Sequence, residues 1–519
     1  MFTKIFNRNF FGKKMRFIHT CIVNHDFKQR GNVPITHARD KLQRHKGGKA
    51  KKPALAESNA LVPISPIHDP ELDLIIDRSF RIRGMGHQVL VIQPYIKWGR
   101  HKNTKRTPQA RLAEAVALVK SLKDWRVVAQ ATIGLANYSN RCFFGEGVVE
   151  RLKKEIDGNT KITAVFVSHE MMRGHQQWNL EQELGVPVFD RYMVVIQIFR
   201  EHAKSKEALL QIQLAEIPYL WSRLRGVDDG VLENFTGGEF LSHTPFLSVR
   251  EEVLKAREVK IRKEIKKLRE YRERIRDERK KYEYPTVAIV GYTNAGKTSL
   301  IKALTEKKSL TPQNYLFATL DVSAHQGYLP SGLDVLYIDT VGFISDIPTN
   351  LMEAFITTLE DAMIADIVVH VRDISHPDTE AQRTDVIETL NNLDLSIKVM
   401  ENVITVGNKI DLLSMEDVKN FPKQEGEEDM IFVSADKNYG IDYLRFQIEE
   451  KILKVTNRSV VVMKVRTGSE EYFWLHDNMT VVDENPVSAD SEFINVKVIT
   501  TEVAFSKFKH YYITNYKKR

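Results

Sequence analysis

Residues 286–299 read Thr-Val-Ala-Ile-Val-Gly-Tyr-Thr-Asn-Ala-Gly-Lys-Thr-Ser. Five residues of buried-strand character run into a loop bounded by Gly291 and Gly296 and closed by Lys297, Thr298 and Ser299. This is GxxxxGK[ST] in a strand-to-helix setting, the arrangement that turns backbone N–H groups onto a phosphate chain. Lys297 would neutralise the β- and γ-phosphates, and the Thr298 hydroxyl would meet magnesium. Working outward, Leu333–Ile338 is a second buried strand, ending in Asp339-Thr340-Val341-Gly342. Asp339 is placed to hold magnesium through water, and the Gly342 N–H to meet a γ-phosphate. Val403–Val406 is a third strand, followed by Gly407-Asn408-Lys409-Ile410-Asp411, and Phe432-Val433-Ser434-Ala435 closes a fourth. A carboxylate at Asp411 accepts the guanine N1–H and exocyclic N–H together. Adenine lacks that donor pair and would leave the carboxylate unpaired. A backbone N–H at Ser434 or Ala435 would read the guanine O6. Sites at successive strand ends, in this order, predict a doubly wound, mostly parallel sheet that binds GTP.

One position departs from fast hydrolysis. Where many such enzymes carry a water-orienting glutamine after the DxxG glycine, this chain has Phe343. A phenyl ring neither orients water nor stabilises charge. Either another group does so, turnover stays slow until a partner reorganises the site, or the ring serves only to pack the switch.

The chain has 519 residues, 42% apolar and 28% charged, enough for several cores. No run approaches the roughly 18 apolar residues of a membrane span. Two cysteines, Cys21 and Cys142, exclude a disulfide framework and a cysteine zinc site. The formal charge of +8 permits a polyanionic partner without demanding one. Part of the excess lies at the start: Lys4, Arg8, Lys13, Lys14 and Arg16 precede the first acid, Asp26, with phenylalanines interleaved. That pattern suits a mitochondrial import peptide, and its alternative is a basic arm for nucleic acid. No apolar core of a secretion signal follows. Residues 1–60 read as basic leader and linker, with the mitochondrial matrix as the expected address.

Residues 72–192 alternate strand and helix patterns, which predicts a small parallel α/β domain. Strands are expected at His87–Trp98, Trp125–Ile133, Ile162–Ser168 and Val186–Phe189, and helices at Thr107–Leu122, Val148–Ile156 and Gln176–Leu184. Gly145 and Gly147 read as a tight strand-to-helix turn, with a phosphate cradle as the weaker alternative. Residues 193–284 read as an antiparallel helical hairpin: one helix over Val194–Leu224, an irregular tip at 225–247, and a long helix over Val249–Tyr282. In the latter Leu254, Ile261, Leu268, Ile275 and Tyr282 recur every seven residues, half of a coiled-coil seam leaning on one neighbour. Fifteen basic residues against nine acidic ones between Arg250 and Glu283 make its outer face either a solvated helix surface or one laid on nucleic acid. The GTPase domain spans 285–455, and 456–519 reads as a small strand-rich domain around Ser459–Val465 and Phe493–Ile499.

These residues resemble an HflX-type GTPase of the ribosome-associated branch near Obg and Era, and most its mitochondrial members. The resemblance covers roughly Arg111 to Lys451. It rests on Phe144-Gly-Glu-Gly-Val-Val-Glu-Arg-Leu152, Gln176-Gln-Trp-Asn-Leu-Glu181, Asp190-Arg191, Ile198-Phe199 and Leu210-Gln-Ile-Gln-Leu-Ala-Glu216. In the GTPase domain it rests on Leu316-Phe317-Ala318-Thr319-Leu320-Asp321 and Asp339-Thr-Val-Gly-Phe-Ile344, the phenylalanine included. The resemblance implies that Thr319 closes on magnesium with the γ-phosphate, that Phe317 and Ala318 line the same site, and that Asn294 helps place a potassium ion. It implies GTP-driven binding of a monomer to the large ribosomal subunit, through rRNA and ribosomal proteins. Subunit dissociation, recycling and late large-subunit assembly would follow. The tip departs from the family: Asp228, Asp229, Glu233 and Glu239 stand where basic residues are usual. The segment after Asp321 also lacks the family's Pro-Thr. A scaffold that uses GTP as a ligand with little hydrolysis is the competing reading. A tRNA-modifying GTPase would want a cysteine near its end, and the last here is Cys142.

Overall fold

A computed structural model describes residues 86–99, 106–225, 245–281, 284–307, 310, 312, 316–317, 323–345, 364–392, 402–422, 429–487 and 492–514. All lie in the unit Ser58–Arg519. The leader, residues 226–244 of the expected hairpin tip, Ala318 and Thr319 fall outside the described residues, and residues 225 and 245–247 of that tip belong to the helices on either side.

The first domain is a four-stranded, all-parallel sheet in the order β2-β1-β3-β4. Its strands are β1 (Gln88–Ile96), β2 (Arg126–Leu135), β3 (Ala164–Val167) and β4 (Val188–Asp190). Helices α1 (Pro108–Lys120), α2 (Glu146–Gly158) and α3 (Gly174–Leu184) connect them. α1 starts where Thr107 accepts the Ala110 N–H and a proline occupies the first turn, a donor position that needs no partner. β1 is buried almost throughout, as a strand covered on both faces must be.

The helix expected over Val194–Leu224 is two helices, α4 (Arg191–His202) and α5 (Lys206–Arg225). α4 ends where the Ala203 N–H makes the last helical bond, to the Phe199 carbonyl, and a new cap follows two residues on. Asp190 accepts the Met193 N–H to open α4, and Ser205 accepts the Ala208 N–H to open α5. Val194, Val195, Ile198 and Phe199 are buried in the same core as Val89, Val91 and Leu118, so α4 belongs to the first domain's packing. The hairpin proper is α5 against α6 (Pro245–Lys281). Ile261 packs with Leu210 and Ile217, Arg272 pairs with Glu207 at 2.7 Å, and Lys255 sits over Trp221. Low numbers on α5 meet high numbers on α6, so the two run antiparallel.

The second sheet has six strands in the order β10-β9-β8-β5-β7-β6, parallel except for the edge pair β6/β7. These are β5 (Thr286–Gly291), β6 (Ser323–Tyr328), β7 (Asp334–Asp339), β8 (Ile367–Asp373), β9 (Val403–Asn408) and β10 (Ile431–Phe432). Helix α7 (Lys297–Thr305) follows β5, α8 (Thr379–Asn392) follows β8, the short α9 (Met415–Lys419) follows β9, and α10 (Ile441–Val455) follows β10. The last domain is an antiparallel sheet, β11 (Ser459–Arg466), β13 (Phe493–Thr500) and β12 (Thr480–Pro486), with β13 central. Helices α11 (Glu470–Asn478) and α12 (Glu502–Phe508) pack on it through Leu475 and Phe508. No helix among the described residues is long and apolar enough to cross a membrane.

Candidate functional site: a guanine-nucleotide pocket at the carboxyl edge of the second sheet

β5, β7 and β9 end side by side, and each ends in one of the expected segments. Gly296 caps α7 with φ 93°, and a Cβ there would lie 2.3 Å from Nδ2 of Asn408. Only glycine fits, for both the backbone angle and the space. The Asn408 amide donates to the Ala295 carbonyl (2.9 Å) and its oxygen accepts the Ala435 N–H (3.1 Å). A residue 2% exposed thus ties the phosphate loop to the loop expected to read guanine. Ser434 Oγ donates to Oδ1 of Asp411 at 2.6 Å, turning that exposed carboxylate toward the same loop. Lys409 takes a left-handed backbone, φ 66°, and its amine pairs with Asp373 at 2.7 Å.

At the phosphate end the Thr298 hydroxyl donates to Oδ2 of Asp339 (2.7 Å), and that carboxylate is 1% exposed. Hydroxyl and carboxylate oxygens are the donors that a hard divalent cation takes, so the pair fits magnesium. The Lys297 amine donates to the carbonyls of Gly291 (3.2 Å) and Tyr292 (3.0 Å). Burial pushes it down to about 8, with Asp339 working in the opposite direction. A Cβ on Gly342 would stand 2.8 Å from the Thr293 Cα and 2.9 Å from the Lys297 amine. The glycine lets the DxxG turn lie directly on the phosphate loop. Phe343 fastens it there: its N–H donates to Gly291 O (3.1 Å), and its carbonyl accepts the Thr293 N–H (2.6 Å). Its ring is buried in the core with Val341 and Ile344.

Gly291, Ala295, Gly296, Lys297, Thr298, Asp339, Gly342, Asn408, Ser434 and Ala435 are therefore linked by these contacts, with Asp411 on Ser434. Asn294 stands exposed in the loop with φ 60°, and Ser299 lies in the first turn of α7. Phe317 is turned elsewhere: its ring packs edge-on against Phe199 of α4 at 4.6 Å. Three residues escaped the sequence reading. Tyr292, Ser345 and the first-domain Glu114 meet beside the phosphate loop, where the Tyr292 hydroxyl donates to Glu114 (2.7 Å) and accepts the Ser345 N–H (2.9 Å).

A phosphate loop, a γ-phosphate turn and a guanine-reading edge on one sheet define a P-loop GTPase. The family described as 50S ribosome-binding GTPase matches residues 286–409, GTP-binding GTPase N-terminal matches 109–200, and GTP-binding GTPase Middle Region matches 202–279. GTP-binding protein 6 of Xenopus laevis is 39% identical over 85% of this chain and 82% of its own length. Its Homo sapiens counterpart is 38% identical over 81% and 80%. GTPase HflX of Caldanaerobacter subterraneus is 35% identical over 74% of this chain and 88% of its own. The chain belongs to the HflX family of GTPases.

Proposed function

We propose that this GTPase works in mitochondria, where its GTP form docks on the large ribosomal subunit and promotes subunit dissociation and recycling, with a contribution to late large-subunit assembly. The observation that carries the nucleotide half is the Thr298–Asp339 pair beside Gly342, with the Lys297 amine between the turn and the loop. Magnesium would be held by Thr298, by Thr319 and, through water, by Asp339, and would neutralise charge building on the phosphates. Asn294 is the residue that would help place potassium. In the GTP form the Gly342 N–H and Thr319 would close on the γ-phosphate, joining switch order to the docking surface. The acid-free leader supports the mitochondrial address, and a plant relative is named as chloroplastic.

The ribosomal half is supported by the family's kinship and by the outer face of α6. Lys263, Lys266, Lys267 and Arg269 are exposed there, and Lys267 pairs with Glu264 (2.7 Å). Such a flank attracts RNA phosphates, and the attraction weakens as salt rises. The acids at 228, 229 and 233 suit steric wedging better than RNA affinity. Sedimentation of purified mitochondrial ribosomes with the protein and GTP, GDP or a non-hydrolysable analogue tests the proposal. Large-subunit binding is expected with GTP and its analogue and not with GDP. Reversing the four α6 cations to Glu should lower binding and flatten its salt dependence. Equal binding with all three nucleotides would overturn it.

Phe343 favours a specific second reading, an assembly scaffold for which GTP is mainly a conformational ligand. Its ring is packed in the core and its backbone is committed to the phosphate loop, so it offers nothing to an attacking water. Isolated protein should turn over slowly in both readings. Clear stimulation by large subunits belongs to the first reading, and none to the second.

A further inference from the structure

The first domain is fastened to the nucleotide site by a set of charged and hydroxyl groups that GTP binding alone does not need. Glu114, on α1, sits between two guanidiniums. Arg106 donates to its Oε2 (2.8 Å), and Arg191, at the start of α4, donates to its Oε1. The three side chains are 14%, 6% and 4% exposed, so the charges are largely out of water. Burial pushes the Glu114 carboxyl up, but Arg191 and Arg106 more than offset that and hold it below its ordinary value. It is an anion at neutral pH.

Every other partner in this set belongs to the GTPase domain. Tyr292, inside the phosphate loop, donates its hydroxyl to Glu114, and the Arg106 guanidinium lies over its ring. Ser345, three residues after Gly342, donates its hydroxyl to Glu114 (2.9 Å), gives its N–H to the Tyr292 hydroxyl, and has its carbonyl bound by Arg191 (2.8 Å). Arg106 also reaches Ser345 Oγ and Asp385 of α8, both at 2.6 Å. A separate contact holds the segment before Thr319: Leu316 donates its N–H to Ser121 Oγ (3.1 Å), and Phe317 packs on Phe199. The first domain thus touches the phosphate loop, the chain just beyond the DxxG glycine and the approach to Thr319.

We propose that Glu114 is a positioning residue for GTP hydrolysis, holding Tyr292 and Ser345 in one arrangement so that the Gly342 turn is preset against the phosphate loop. It acts through those two residues and does not touch nucleotide. The turn it presets carries the N–H that meets the γ-phosphate, so loss of Glu114 should act on the chemical step more than on binding. A misplacement on the order of 1 Å at such a turn costs about a hundredfold in rate. The proposal rests on hydrolysis by this chain and not on ribosome docking.

The test uses the full chain with two variants, Glu114→Gln, which keeps shape and removes charge, and Tyr292→Phe, which removes only the hydroxyl. Single-turnover hydrolysis per bound GTP and the Kd of a fluorescent GDP are measured for each. The expected result is hydrolysis slowed about tenfold or more with GDP affinity within about threefold of the parent. A merely structural role would lower melting temperature and the fraction of active sites, leaving the rate per bound GTP unchanged. If Glu114→Gln does not fold, Tyr292→Phe decides alone. Rates per bound GTP within twofold of the parent, or faster than it, would overturn the proposal. An equal loss of rate and GDP affinity would also overturn it, since Glu114 would then support binding and not hydrolysis.

Discussion

The Lys297 amine, buried among loop carbonyls, makes nucleotide binding a proton-uptake event. Its ordinary value is 10.5, and burial brings it down to about 8 before any phosphate arrives. At pH 8 about half of the nucleotide-free molecules should therefore carry a neutral lysine. The phosphates of GDP or GTP favour the ammonium, so binding at that pH should take up about half a proton. Between pH 7 and 9 the charged fraction falls about tenfold, and affinity should fall with it. The stability of the free protein moves the other way. The cost of burying the charged amine is fully present below pH 8 and is relieved as pH rises toward 10.5, because the unfolded chain binds more protons across that window. Titration calorimetry with GDP at pH 8, in two buffers of different ionisation enthalpy, reads the proton directly. GDP is fully ionised there and guanine N1–H is intact, so neither masks the signal. Lys297→Ala should bind weakly with no uptake. No uptake by the parent protein would refute the reasoning, since it would mean that Lys297 is already charged in the empty site.

Asp411→Asn removes a carboxylate that two guanine donors would share. GTP affinity should fall about a hundredfold or more, and xanthosine triphosphate should be admitted, in competition titrations. Gly342→Ala puts a methyl 2.8 Å from Thr293 and 2.9 Å from the Lys297 amine. It should cost about 1–3 kcal/mol at the closed turn and lower single-turnover hydrolysis more than GDP binding. Asn408→Ala strips the buried Ala295 carbonyl and Ala435 N–H of their partner, with about 2–4 kcal/mol lost from thermal stability or GDP affinity.

What was legible in the chain was local. Val287–Val290 is a continuous apolar run in front of a glycine, and it became the central β5. Asp339 and Asn408 stand at strand ends because the strands before them are equally apolar. The helix expected over Thr107–Leu122 is α1, one residue shorter at its start, where Thr107 is the cap, and two shorter at its end. The break at Ala203 to Ser205 was missed because no glycine or proline marks it. Its only signal is Ser205, which caps α5, and the apolar periodicity runs straight through. The Arg106–Glu114–Arg191 cluster was invisible for a different reason. Arg191 lies 77 residues beyond Glu114, and Arg106 stands before the helix that carries Glu114, so no local pattern joins the three. Tyr292 occupies a loop position that the phosphate motif leaves open.

The chemistry of that seam bears on why it is polar at all. An apolar interface of equal area would hold two domains together at less desolvation cost, since burying three charges is repaid only by near-ideal geometry. Apolar contacts, however, tolerate sliding, whereas the Tyr292 hydroxyl and the Ser345 N–H and carbonyl are all satisfied in one seating only. A seam of this kind trades stability for a single arrangement. That trade is useful where the arrangement is itself the requirement, as it is beside a turn that must present one N–H to a phosphate oxygen. It also makes the coupling reciprocal. If the seating of the first domain sets the turn, then a nucleotide that reshapes the turn must shift the seating by the same free energy, and with it whatever surface α4 and the hairpin present to a partner.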